Sequence, residues 1–166
     1  MAHTAALPVA QPAPPGLWVI HCDGSAIPNP GRMGLGATLL APDGQQHTLS
    51  HTSSLVGCNN EAELRALMAA LQQAHALGAR AIAVRSDSSL LIEQLRPPQP
   101  GQRPAAPIAR LAALFDSARA WLARFDSVQW QWIPRHRNSA ADTLARAALG
   151  APAKVAPHPS HKKKKR

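Results

Sequence analysis

Residues 17–25 read Leu17-Trp18-Val19-Ile20-His21-Cys22-Asp23-Gly24-Ser25, a short apolar run that stops on a carboxylate. The run has the length and composition of a buried strand, and the residues after it, Ala26 to Gly31, are turn chemistry with two prolines, Asn29 and Gly31. Asp23 is therefore expected at the end of a first strand. Outward from there, Gly34 to Leu40 and Gln45 to Ser53 read as two more strands, because Pro42-Asp43-Gly44 between them is a strong hairpin signal. Three antiparallel strands in succession are expected.

The period then changes. From Glu61 to Leu77, Leu64, Leu67, Met68 and Leu71 fall at helical spacing, with Asn59 and Asn60 as capping candidates and Gly78 as the stop. Ala81 to Val84 is a short buried strand and Ser88 to Leu95 a short helix. Arg96 to Pro107 holds five prolines and is expected to be a loop. Ile108, Leu111, Phe115, Ala118, Leu122 and Phe125 recur at steps of three and four, an amphipathic helix. Val128, Trp130 and Trp132 alternate with Gln129 and Gln131 as a fifth strand, the tryptophans facing the core, and Asn138 to Leu149 closes as a helix. The order βββαβααβα implies an α/β fold with a five-stranded mixed sheet flanked by helices.

One domain over 17–150 fits this length, with an unstructured Pro- and Ala-rich leader over 1–16 and a basic tail over 151–166. The formal charge of +9 is unevenly placed. Residues 1–150 carry twelve Arg and nine acids, net +3, whereas 151–166 carry five Lys and one Arg, net +6. Such a tail is expected to contact nucleic-acid phosphates, the alternative being a solubilising end. No signal peptide and no apolar stretch of roughly 20 residues is present. Cys22 and Cys58 lie in no zinc or redox spacing, which points to a reducing cytoplasm.

Acids are scarce, and four of the nine sit where a central sheet could gather them: Asp23, Glu63, Asp87 at the end of the fourth strand, and Asp142 in the first turn of the last helix. Convergent carboxylates are what two divalent cations need to be held at a phosphodiester. Each acid also has a local alternative. Asp23 suits a turn, Glu63 a capping box with Asn60, Asp87 a helix cap, and Asp142 the positive end of a helix dipole.

The residues around these acids carry a resemblance. Asp23-Gly24-Ser25-Ala26-Ile27-Pro28-Asn29-Pro30-Gly31, Asn59-Asn60-Glu61-Ala62-Glu63-Leu64, Val84-Arg85-Ser86-Asp87-Ser88, and Trp130-Gln131-Trp132-Ile133-Pro134-Arg135-His136 followed by Asn138-Ser139-Ala140-Ala141-Asp142 resemble, in order, the motifs of type-1 ribonucleases H. The similarity spans about residues 17–150. It implies an RNase H-like fold acting on RNA/DNA hybrids, with Asp23, Glu63, Asp87 and Asp142 as ligands of two Mg²⁺ or Mn²⁺ ions; separately, a monomer is expected. Cleavage of the RNA strand would leave 5′-phosphate and 3′-hydroxyl ends. It further implies that Asn29, Asn59 and Asn60 touch the hybrid through its minor groove, where 2′-hydroxyls mark RNA.

Three departures from the family pattern stand out. His136 falls where bacterial members carry a loop histidine that assists proton transfer or product release, but only Arg137 separates it from Asn138. Arg135 or Arg137 could instead act electrostatically or face phosphate. The proline loop 96–107 replaces a basic helical protrusion, and Cys58 stands where a hydroxyl often helps hold a DNA phosphate. Two other functions stay open on this reading: a binding module without catalysis, and a DNA-directed nuclease of the same superfamily.

Overall fold

The computed structural model describes residues 16–154. The leader and the basic tail lie, but for Gly16 and residues 151–154, outside them. The elements are β1 (Leu17–Ile27), β2 (Gly31–Leu40), β3 (Gln46–Gly57), α1 (Asn59–Ala76), β4 (Ala81–Ser86), α2 (Ser89–Leu95), α3 (Ala112–Leu122), β5 (Ser127–Trp132) and α4 (Ser139–Ala148), with 3₁₀ turns over Ala109–Leu111 and Arg135–Arg137. The expected order holds. The sheet runs β3-β2-β1-β4-β5, with β1–β2 and β2–β3 antiparallel and β1–β4 and β4–β5 parallel.

Two boundaries differ in a way that matters for the site. The first strand does not end at Asp23 but continues to Ile27, because β2 pairs with it from Val19↔Leu40 through to Ile27↔Arg32. On its other side, pairing with β4 stops at His21↔Arg85. Asp23 thus sits in mid-strand, just past the point where β1 loses one neighbour. The long helix expected from Ile108 to Phe125 is shorter: a 3₁₀ turn precedes α3, which ends at Leu122.

The core lies between the sheet and α1 with α3. Ile20, Cys22, Leu39, Ile82 and Val84 point from the sheet into Leu64, Leu67, Leu71, Phe115 and Ala118. Ala62, Ala66, Ala70 and Ala74 form a buried stripe at steps of four, so α1 packs with little side chain between it and the strands. Trp130 is half-buried against this core, as expected of it. Trp132 is not core: it is 54% exposed, because β5 is an edge strand and the helices stop short of its end.

The other face is covered by α4 alone. Ser50 Oγ and Thr52 Oγ1 donate to the carbonyls of Leu144 and Ala148, each at 2.7 Å. Gly34 and Gly36 take the helix backbone directly: a Cβ on either would overlap main-chain atoms of the Ala141 to Ala145 stretch.

Candidate functional site

Asp23 lies between two glycines, one next to it in the chain and one across the strand pair. Gly24 receives the first turn of α1. A Cβ there would collide with the Ala62 carbonyl and the Glu63 nitrogen, so the missing side chain is what lets Glu63 approach β1. Gly36 is the cross-strand partner of Asp23 and receives α4 at Ala141, which brings Asp142 over the same spot. The gap left by β4 beyond Arg85 is where Asp87 enters. Local sequence thus assembles the four acids through two close backbone approaches and one strand end.

Asp87 is held from several sides. Asn138, 1% exposed, donates through Nδ2 to Asp87 Oδ1 at 2.7 Å and to the Cys22 carbonyl at 3.0 Å. One buried amide therefore ties together β1, β4 and the start of α4, the elements that carry three of the acids. Trp132 Nε1 donates to the Asp87 main-chain carbonyl at 3.2 Å. Arg135 Nε stands 3.4 Å from Asp87 Oδ2; its side chain is 84% exposed, so the pair is a weak, screened one. Sequence reading missed the part played by Asn138. The only signal was its place four residues before Asp142, one helical turn away.

The capping alternatives for Glu63 and Asp87 do not hold, whereas Asp142 does lie in the first turn of α4, as its helix-dipole alternative requires. The N-cap of α1 is Cys58, without a side-chain cap bond, so Glu63 belongs to no capping box and neither Asn59 nor Asn60 caps the helix. The N-cap of α2 is Ser88, whose hydroxyl accepts from the Leu91 N–H at 3.3 Å, which leaves Asp87 free of that duty. Asn29 and Asn59 accept from backbone instead: Asn59 Oδ1 from the Ala26 N–H at 2.8 Å, and Asn29 Oδ1 from the Asn59 N–H at 3.2 Å. Their acceptors are used to lock the β1–β2 turn against α1, with the amide donors left over. Cys58 Sγ accepts from Arg110 Nη1 at 3.1 Å. His136, Arg135 and Arg137 share the exposed 3₁₀ turn before α4.

The charge balance is strained. Burial first, then Asp87, Asp142 and Glu63, push the Asp23 carboxyl up to about 8. Glu63 is raised by burial and by Asp87, against a hydrogen bond with Ser88 and the pull of Arg135. Burial, reinforced by these acids, pushes the Cys22 thiol beneath them up as well, which leaves it unreactive. Among the described residues no three acid, His or Cys side chains already form a closed ion-binding group. The donor set nevertheless fits hard divalent cations, being all carboxylate oxygen with an excess of negative charge that cations would relieve.

An acid whose folded pKa lies above its unfolded value of about 3.9 keeps its proton only in the folded state between those two values, so its contribution to stability falls as pH rises from about 4 to 8. In EDTA, the melting temperature is expected to be lower at pH 7.5 than at pH 5.5. Mg²⁺ should raise it more at pH 7.5, since the ions bind the charged acids of the folded state. Equal Mg²⁺ shifts at both pH values would show that the acids do not act as one cluster.

Fold and acid cluster together define an RNase H-like α/β domain, and comparison with known proteins agrees. A family profile described as reverse transcriptase-like matches residues 21–148. The chain is 34% identical over 143 residues to ribonuclease HI of Halobacterium salinarum, covering 85% of this chain and 68% of that protein. The solved RNase H1 structure from that archaeon superposes with a TM-score of 0.72 at 32% identity, over 81% of this chain and 98% of that one. The bifunctional protein Rv2228c of Mycobacterium tuberculosis is 36% identical over 140 residues; the match covers 83% of this chain but 37% of that protein. LC11-RNase H1, solved in complex with an RNA/DNA hybrid, superposes with a TM-score of 0.67 at 27% identity, over 80% of this chain and 96% of that one. The chain belongs to the ribonuclease H family.

Proposed function

We propose that this protein hydrolyses the RNA strand of RNA/DNA hybrids, with Asp23, Glu63, Asp87 and Asp142 holding two Mg²⁺ or Mn²⁺ ions. The observation that carries the reading is the convergence of three further acids on Asp23 through the Gly24 and Gly36 approaches. Ions bound there supply charge neutralisation at phosphorus, an activated water and stabilisation of the leaving 3′ oxygen. Water adds to phosphorus as the bond to the 3′ oxygen breaks, giving 5′-phosphate and 3′-hydroxyl ends.

The chain's own residues orient and exclude. Asn138 fixes the Asp87 carboxylate, and Arg135 offsets part of its charge. His136, on the same turn, is the group we assign to handing a proton to the leaving oxygen, with Arg137 facing phosphate. Asn29, Asn59 and Asn60 offer amide donors to the minor groove at the tip of β1 and the start of α1, and the hybrid-bound LC11 relative supports that substrate class. Arg110, brought to the α1 N-terminus by Cys58, places positive charge where a hydroxyl alone would be a weaker anchor.

Labelled RNA/DNA, RNA/RNA and DNA/DNA duplexes incubated with the protein in Mg²⁺ and in Mn²⁺ test the reading. Cleavage confined to the RNA of the hybrid is expected; cutting of DNA/DNA would make it a DNA-directed nuclease, and no cutting in either metal a binding module. The two free thiols, Cys22 and Cys58, suit a reducing cytoplasm, where we place it as a monomer.

The basic tail is assigned to tethering the substrate in place of the missing protrusion. Removing residues 151–166 is expected to raise KM at low salt and to flatten the slope of log K against log[salt] by up to about 0.9 per lost phosphate contact, with kcat unchanged. An unaltered salt slope would leave the tail a solubilising end.

A further inference from the structure

Two residues below the acids, about 7 Å down the strands, another row of side chains crosses the whole sheet. Thr48 of β3, Thr38 of β2, His21 of β1, Arg85 of β4 and Gln131 of β5 are partners in register. Being two places from Ser50, Gly36, Asp23 and Asp87, they lie on the same face, the one that carries α4. But α4 starts over Gly36 and runs toward Gly34 and Thr52, away from this row. The lower half of the face is not covered by α4, though Thr38 and Ala83 within it are buried. At its border with the start of α4 lies a mostly apolar groove of about 510 Å³ that has Thr38, Thr48, Ser139 and Thr143 among its lining residues and does not include Arg85 or His21.

Arg85 is the anomaly in the row. It is half-buried, its Nε is wholly buried without a hydrogen-bond partner, and none of the ion pairs among the described residues includes it. The acid nearest along its strand, Asp87, is already engaged by Asn138 and Arg135. Beside Arg85 stands His21, also half-buried, and around them are the Thr38 hydroxyl and the exposed Gln131 amide. A buried guanidinium edge without an acceptor, set among further donors, is complementary to an oxyanion, above all the planar or tetrahedral kind that accepts from a guanidinium fork.

We propose that this half of the sheet, beyond the reach of α4, is a phosphate-binding site, with Arg85 and His21 as its principal contacts and Thr38 and Gln131 as supporting donors. The phosphate comes either from a nucleic-acid strand that passes beside the acid cluster or from free phosphate. The site itself stands on Arg85 and His21, apart from the nuclease reading, and only the strand source rests on it.

The test uses the full chain with isotopically labelled histidine, the His21 ring resonance being identified by its loss in His21→Gln. Inorganic phosphate is titrated at constant ionic strength, then an RNA/DNA hybrid in EDTA. The His21 resonance is expected to shift saturably with phosphate. Arg85→Gln should weaken that binding by about tenfold or more, the loss of one charge-assisted hydrogen bond, whereas Arg85→Lys keeps part of it. If the hybrid shifts His21 too, and Arg85→Gln raises KM for the hybrid several-fold at unchanged kcat, the strand is the source. If phosphate binds and KM does not change, the site takes free phosphate. No saturable shift in either titration, or a shift that survives Arg85→Gln, overturns the proposal. Should Arg85→Gln fail to fold, Arg85→Lys replaces it, and unweakened phosphate binding in that variant counts against the site. The phosphate titration needs no cleavage, so its failure is separate from any failure of the nuclease reading.

Discussion

Asp23→Asn is expected to lower cleavage of a hybrid by more than about 100-fold while raising the melting temperature of the metal-free protein at pH 7.5. The loss of activity should exceed the roughly 10- to 100-fold that removal of an outer partner of a metal ligand typically costs, because on the proposed assignment the amide takes away a ligand charge itself. The gain in stability has the opposite origin. Burial and three neighbouring carboxyls push the Asp23 carboxyl up to about 8, so the ionised form is a burden on the folded state near neutrality, and a neutral isostere relieves it. Steady-state kinetics in Mg²⁺ and a thermal melt in EDTA read the two halves. An active variant, or one that melts lower than the parent, would remove Asp23 from the centre of the cluster.

Gly24→Ala is expected to fail differently, losing stability and activity together. The added methyl falls on the Ala62 carbonyl and the Glu63 nitrogen, which are main-chain atoms that cannot swing aside. Helix α1 must move off β1, at a cost of roughly 1–3 kcal/mol or more for overpacking. The displacement also draws Glu63 away from Asp23, so kcat should fall even under conditions where the variant is fully folded. The substitution thus separates an acid that is present from an acid that is placed. An unchanged melting temperature and kcat would mean that α1 has room to spare, against the close approach described here.

Much of this was legible in the sequence because periodicity and composition are local. The turn at Pro42-Asp43-Gly44, the helix ending before Gly78 and the proline loop 96–107 all fall where expected. What misled was pairing. Asp23-Gly24-Ser25 has the composition of a turn, yet it is strand, since β2 supplies hydrogen-bond partners as far as Ile27, and no local signal announces that Asp23 will pair with Gly36 and Ser25 with Gly34. Gly24 serves a neighbouring helix, and its backbone needs no left-handed conformation. Gly34 and Gly36 were visible as residues but not as the seat of α4, which lies over 100 residues further on. The alternation of Trp132 with glutamine reads as core, but that pattern cannot tell a covered strand end from a bare one, and Trp132 is exposed. Asn138 could not have been assigned at all without knowing that β1 outruns β4 and leaves the Cys22 carbonyl to be bonded from α4.

The order in which the four acids occur along the chain, 23, 63, 87 and 142, has a consequence in time. The sheet and its main core are complete once β5 has formed, but the fourth carboxylate and the Asn138 amide belong to the segment that follows it. A nascent chain threading out of the ribosome therefore carries three of the acids long before it carries the last, and its translation partner is itself RNA. Because α4 seats on two glycines of β2 and follows every strand in the chain, the fourth carboxylate of the proposed site can join the other three only after the whole sheet has been synthesised.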